Sequence, residues 1–280
     1  MLAAQRRAGI VAALDSAGAV SVTELAARFE VSDMTIRRDL DSLAEQGVIA
    51  KVHGGAVAAR PGDSAAVRRT EEPGFQAKSA QQQPEKQGIA AAAAAHVKPG
   101  MSIGLSAGTT TWTLAHELLA VADLTVVTNS PRIADIFHHC AETDLPGRAG
   151  AAAGPTVILT GGVRTPSDAL VGPIANQALR SLHLDLVFLG AHGFSLTAGC
   201  TTPNLEEAET NRTLLQTAAR AVVLADHTKW NTTALGTFAQ LPQIDMLITD
   251  TGLSRSAAEQ LREKLDTLIL ADPTETRRPR

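Results

Sequence analysis

VSVTELAARFEVSDMTIRRDLDSL, residues 20–43, contains two helix starts in close succession. Ser21 and Glu24 have capping-box spacing, so each can satisfy a backbone N–H that the first helical turn leaves open. Val20 and Leu25 fit the hydrophobic staple across that cap. Ser32 offers a second cap, with Val31 and Ile36 as its staple. The spacing predicts two capped helices joined by a turn of about three residues, which is a helix-turn-helix. On the second helix Ile36, Leu40 and Leu43 recur at the i, i+4, i+7 interval of a buried stripe. Met34, Thr35, Arg37, Arg38 and Asp41 fall off that stripe. Residues near the start of such a helix can reach base edges in a major groove. Arg37 and Arg38 can chelate guanine or clamp phosphate, and Ser32 and Thr35 can bond phosphate oxygens. The alternative is a solvated face on which the two arginines pair with Asp33, Asp39 or Asp41.

Working outward, a first helix is expected from about Leu2 to Ser16. Its stripe is Ile10, Val11 and Leu14, and Gly18 stops it. Past the recognition helix, which is expected to end at Gly47, VIAKVHGGAV predicts a β-hairpin wing. Lys51 and His53 on it are candidates for contact with a flanking backbone. Residues 1–60 carry seven Lys+Arg and seven Asp+Glu, and the whole chain of 280 residues has a net charge of −4. No bulk positive field marks a nucleic-acid binder, so any such contact must come from local placement.

Residues 58–83, AARPGDSAAVRRTEEPGFQAKSAQQQ, offer little to bury and are expected to be a linker. From residue 84 to 271 short apolar runs alternate with stretches of helical length. The runs are MSIGL, LTVVT, TVILT, LDLVFLG, AVVLAD, IDMLIT and TLIL. That pattern predicts a Rossmann-like α/β domain with buried parallel strands and helices on both faces. Residues 142–155 are expected to form a surface excursion and 272–280 a disordered tail. Cys140 and Cys200 stand in no metal-like spacing and suggest no disulfide framework. No metal and no cofactor are expected. Neither a secretory leader nor an apolar run long enough to span a bilayer stands out, so the expected location is the cytoplasm.

Several loops after strands suit an anion. SAGTT places Ser106, Ala107, Gly108, Thr109 and Thr110 between a strand and a helix amino terminus, where small residues and open N–H groups can cradle phosphate. A plain strand-to-helix turn capped by Thr explains the same residues. Thr128 and Asn129 follow the next strand, Gly161 and Gly162 the third, and His192 lies in GAHG after the fourth. Lys229 comes just after AVVLAD and can supply a full positive charge, or be an ordinary surface lysine. Ligands of open α/β sheets sit at the carboxyl ends of the strands, so these loops can converge. In TTPNLEEAE, Thr201, Thr202 and Glu206 can bond sugar hydroxyls. The helix dipole at Asn204 accounts equally for Glu206 and Glu207.

Arg6, Ile10 and Leu14, a gap, then SDMTIRRDL and VHGGA resemble the signature of the DeoR family of bacterial transcriptional repressors. The resemblance continues through SAGTT, TNS, LTGG, LVGPIA, FLGAHG, TTPNLEEAE, ADHTKW and IDMLITD. It implies a winged helix-turn-helix followed by a sensor domain similar in fold to sugar-phosphate isomerases. It also implies a homo-oligomer, dimer or tetramer, that releases double-stranded operator DNA on binding a phosphorylated sugar. This sequence departs from the family at Ser106, where Asp is frequent, and His192 holds a position that varies among members. Two other readings stand beside it: an isomerase carrying a regulatory domain, and a carboxy-terminal domain that serves assembly alone. Trp112 and Trp230 are expected to flank the ligand.

Overall fold

A computed structural model describes residues 3–17, 19–45, 49–52, 55–58, 67–68, 74–142 and 154–273. The chain forms two compact units, residues 1–65 and 66–280.

In the first unit α1 (Ala3–Ala17), β1 (Ala19–Ser21), α2 (Val22–Phe29) and α3 (Asp33–Glu45) precede the hairpin β2 (Ile49–Val52) and β3 (Gly55–Ala58). The capping box is formed: Glu24 N–H donates to Ser21 Oγ and Ser21 N–H to Glu24 Oε2, both at 3.2 Å. The turn between α2 and α3 is made by Glu30 in the left-handed conformation (φ 52°) and by Ser32, whose Oγ accepts from Thr35 N–H at 3.3 Å. Ile10, Leu14, Leu25, Ile36, Leu40 and Leu43 are buried together, as the helical spacings require. The wing is larger than the expected hairpin, because β1 pairs antiparallel with β3. Gly55 of the VHGGA motif makes that approach possible: a Cβ there would stand 2.1 Å from the Val20 carbonyl oxygen.

The second unit begins earlier than the expected boundary. Within residues 58–83, β4 (Val67–Arg68) and α4 (Phe75–Ser79) form, and α5 (Gln83–Ala94) starts one residue early. Phe75 explains the difference: its ring packs edge-on against Trp112 at 5.9 Å, and Arg132 lies 4.4 Å over it. The aromatic ring thus anchors α4, while β4 is held by its parallel pairing with Thr232 and Thr233.

Then follow β5 (Ser102–Leu105), α6 (Thr109–Glu117), β6 (Thr125–Thr128), α7 (Pro131–Glu142), β7 (Thr156–Leu159), β8 (Val163–Arg164), β9 (Leu170–Val171), α8 (Pro173–Arg180) and β10 (Leu186–Gly190). The remainder is β11 (Gly193–Ser195), β12 (Gly199–Thr202), α9 (Leu205–Gln216), β13 (Ala221–Leu224), β14 (Thr232–Thr233), β15 (Gly236–Ala239), β16 (Met246–Asp250), α10 (Arg255–Arg262) and β17 (Thr267–Ala271). The seven expected strands are the seven strands of one parallel sheet, in the order β17-β16-β13-β10-β5-β6-β7. Successive side chains on its strands serve opposite faces. Leu186, Phe188, Val222, Leu224, Met246 and Ile248 enter one core, while Val187, Leu189, Val223 and Leu247 enter the other.

Strand order reverses between β5 and β10: β6 and β7 extend one way, β13, β16 and β17 the other. The small antiparallel sheet β11-β12-β15 and the pairs β4–β14 and β8–β9 have no counterpart in the sequence expectations. Each is two to four residues long, and β11, β12, β14 and β15 are made largely of small and polar residues, so none carries a strand-length apolar signal. Among the described residues no helix is long and apolar enough to cross a membrane. The expected excursion falls mostly at 143–153, the tail mostly at 274–280, and Gly18, Gly47 and His53 likewise lie outside the described residues.

Candidate functional site

Two surfaces carry the expected residues. On α3, Ser32, Met34, Arg37 and Arg38 are exposed and Thr35 is half-buried, while Ile36, Leu40 and Leu43 face the core. Ser32 Oγ and Thr35 Oγ1 lie 3.0 Å apart and stabilise the helix start whatever else they touch. The surface-pairing alternative for the arginines loses one of its acids. Asp39 is buried and accepts from Arg6 Nε at 2.5 Å, tying α3 to α1. Lys51 lies on β2, in the wing.

A cavity opens in the second unit at the carboxyl ends of β5, β10 and β13, across the point where strand order reverses. Ala107, Gly108, Thr109 and Thr110 line it from the loop after β5 and the start of α6. The first turn of a helix has N–H groups without intrahelical acceptors, and the helix dipole adds partial positive charge. His192 contributes from the loop after β10, Thr202 from β12, and Lys229 with Asp226 from the turn after β13.

The other expected residues brace this cavity or lie away from it. Ser106 is buried, and its Oγ accepts from Gly190 N–H at 2.9 Å, bridging the ends of β5 and β10. Asn129 Oδ1 accepts from Ala107 N–H at 2.7 Å and its Nδ2 donates to the Leu170 carbonyl at 3.1 Å, so it fixes the SAGTT loop from behind. Thr128 Oγ1 donates to the Leu105 carbonyl at 2.7 Å. Thr201 Oγ1 donates to the Gly193 carbonyl at 3.1 Å and accepts from Ala234 N–H at 3.0 Å. Gly161 and Gly162, at φ 71° and 115°, turn the chain from β7 into β8. None of these six lines the cavity. The same holds for Trp112 and Trp230: Trp112 backs Phe75 and Trp230 packs on Phe194.

Glu206 is replaced in the cavity by its neighbour. Asn204 Oδ1 caps α9 by accepting from both Glu206 and Glu207 N–H, at 2.9 and 3.2 Å. Helical phase then turns Glu206 to solvent and Glu207 inward. Buried Glu207 accepts from Thr165 Oγ1 at 2.8 Å, from Thr202 Oγ1 at 3.3 Å and from Ser167 Oγ.

Sequence reasoning also missed the wall built by α4 and α5. Phe75, Lys78 and Lys86 line the cavity from the stretch expected to be a linker and from the helix after it. Lys86 is buried, and its Nζ donates to the carbonyls of Lys78 at 2.5 Å and Gln81 at 2.6 Å. Burial pushes the Lys86 ammonium below the ordinary lysine range, Asp226 pulls it back up, and Lys229 and Lys78 add to the depression. Three lysines against Glu207 and Asp226 leave a net positive lining. Among the described residues no cluster of His, Cys, Asp and Glu could hold a metal.

Comparison with known proteins agrees with this division. Residues 6–61 match the model of the DeoR-like helix-turn-helix domain, and residues 81–251 that of the DeoR C terminal sensor domain. The putative aga operon transcriptional repressor of Escherichia coli O157:H7 is 33% identical over 95% of this chain and 93% of its own. The HTH-type transcriptional regulator GlpR of Haloferax volcanii is 33% identical, covering 96% of this chain and 98% of its own. The glycerol-3-phosphate regulon repressor of Escherichia coli K12 is 29% identical over 88% and 90%. Among solved structures, ribose 5-phosphate isomerase A from Methanocaldococcus jannaschii aligns over 52% of this chain and 53% of its own at 18% identity and a TM-score of 0.36. A winged helix-turn-helix, a sensor-domain match spanning more than half of the chain, and relatives that match it nearly end to end lead to one conclusion: the chain belongs to the DeoR family of transcriptional regulators.

Proposed function

We propose that the protein is a transcriptional repressor of carbohydrate genes that a phosphorylated sugar releases from its operator. It acts in the cytoplasm as a homo-oligomer, presenting paired α3 helices and wings to a symmetric or repeated site. The observation that carries the sensor reading is the cavity at the strand-order reversal, where a helix amino terminus and three lysines converge. Ligand must bind one arrangement of the two units better than the other, or nothing shifts.

Ser32, Met34, Thr35, Arg37, Arg38, Lys51 and His53 are the proposed DNA contacts. Arg37→Ala is expected to weaken operator binding by about 1–3 kcal/mol, roughly five- to a hundredfold, while ligand binding and folding persist. Undiminished operator affinity, measured by fluorescence anisotropy at fixed salt, would place the recognition surface elsewhere. In the cavity, Lys229→Ala should weaken phosphorylated ligands roughly ten- to a hundredfold and their unphosphorylated forms far less. Equal weakening of both, read by calorimetry, would remove Lys229 from the phosphate site. Ser106, Thr128, Asn129, Gly161, Gly162 and Thr201 support the cavity rather than touch ligand.

The isomerase alternative needs a carboxylate poised as a base toward a substrate carbon. Glu207 instead accepts from three hydroxyls, and Asp226 accepts from the N–H and hydroxyl of Thr228. Incubation with sugar phosphates and analysis for isomer distinguishes the two readings.

A further inference from the structure

Lys78, Lys86, Lys229, Asp226 and Glu207 are the charged groups that line the cavity. No lysine or arginine among the described residues pairs with Glu207 within ion-pair distance. Its carboxylate is held instead by the hydroxyls of Thr165, Ser167 and Thr202. An ionised carboxylate only accepts, and a hydroxyl has one proton to give. With those protons directed at Glu207, the oxygens of Ser167 and Thr202 that border the cavity are left as acceptors. A ligand group seated there must donate hydrogen bonds. An alcohol does; a carboxylate cannot, and it would also meet the Glu207 carboxylate, which has no ion-pair partner, where the low dielectric strengthens repulsion. Asn211, which also lines the cavity, is an amide and favours neither.

We infer that Glu207 makes the sensor selective for phosphorylated sugars or polyols whose end remote from the phosphate is an uncharged alcohol, and that it rejects the corresponding sugar acids. This rests on the sensor reading above and narrows its ligand class. The selectivity works through a negative element, a charge that disfavours the wrong ligand, rather than through added contact with the right one.

The test uses the full chain and matched pairs of ligands that differ only in CH2OH against carboxylate at the remote end: glycerol phosphate and phosphoglycerate, ribitol phosphate and phosphoribonate, glucitol phosphate and phosphogluconate. Affinities are read by calorimetry, with folding checked by thermal melting. The expected result is that at least one alcohol binds, and binds at least tenfold more tightly than its acid. Glu207→Gln should bring that ratio close to one, chiefly by admitting the acid. Glu207→Asp, which keeps the charge, should preserve the rejection. If an acid binds the unaltered protein as tightly as its alcohol, the role of Glu207 falls while the sensor reading stands. The role also falls if Glu207→Gln folds and leaves the ratio unchanged. If no member of any pair binds, the sensor reading falls and takes this inference with it. Should Glu207→Gln fail to fold, the comparison in the unaltered protein and in Glu207→Asp still decides.

Discussion

Asp39→Ala is expected to destabilise the DNA-binding unit by about 3–5 kcal/mol, the usual cost of leaving one member of a buried ion pair without its partner. Arg6 and Asp39 are joined at 2.5 Å, with side chains only 9% and 8% exposed. Water cannot take over from the missing carboxylate without opening the packing of α1 on α3. A unit of about 60 residues buries a smaller fraction of its surface than a larger domain and is correspondingly marginal, so a loss of that size unfolds much of the population. Amide hydrogen exchange on the full chain should show protection collapsing through α1 and α3 while β5, β10 and β13 keep theirs. Replacing both partners by apolar residues, Arg6→Met with Asp39→Leu, should restore most of the stability, because no buried charge then remains. If α1 and α3 keep their protection in Asp39→Ala, the pair is not what fastens them. The prediction also bears on Arg37 and Arg38. Asp39 adjoins Arg38 in sequence, yet it serves the interior, so operator loss in an Asp39 variant reports unfolding rather than a lost DNA contact.

The sequence made the sheet and the helix starts legible because both depend on local rules. Uninterrupted apolar runs mark strands buried on two faces, and Ser21 with Glu24 can be read without knowing what lies beyond. The cavity was legible only in part, since its walls depend on helical phase and on distant anchors. Glu206 and Glu207 satisfy the same rule about acids at a helix start. Spacing does not separate them, because the residues four and seven positions on are buried for both: Thr210 and Thr213 after Glu206, Asn211 and Leu214 after Glu207. Only the fold tells them apart, by setting Glu207 against Thr165, Ser167 and Thr202 and leaving Glu206 in solvent. Lys86, by contrast, was legible from spacing, because it leads Ile89, Ala90 and Ala93 along the buried face of α5. The composition of residues 58–83 hid α4, where one phenylalanine is held by Trp112 and Arg132 from elsewhere in the chain. The partnership of Arg6 with Asp39 spans 33 positions and follows from no local spacing.

Lys86→Met is expected to loosen the cavity wall without melting the sensor, because the substitution has two opposing effects. The ammonium donates to the carbonyls of Lys78 and Gln81, and removing it gives up two charge-assisted hydrogen bonds, a cost of about 1–3 kcal/mol, although the Lys78 carbonyl keeps the Gln81 N–H at 3.2 Å. The same ammonium is held below its ordinary pKa, chiefly by burial. The unfolded chain therefore binds the proton more tightly than the folded one, and stability rises with pH from the lowered value up to 10.5. At neutral pH the charge is a burden on the fold that methionine removes while keeping most of the volume. The melting temperature should accordingly move little, whereas amide exchange over residues 74–82 should rise sharply. An anion entering the cavity favours the charged lysine and raises its pKa. Phosphate-ligand binding at a pH between the lowered value and 10.5 should thus draw in protons, visible as a dependence of calorimetric heat on buffer ionisation enthalpy. In Lys86→Met that uptake should shrink and affinity should fall roughly tenfold or more. Exchange over 74–82 that matches the unaltered protein would show that the turn is held by Phe75 alone. Proton uptake that survives the substitution would assign the titration to another group.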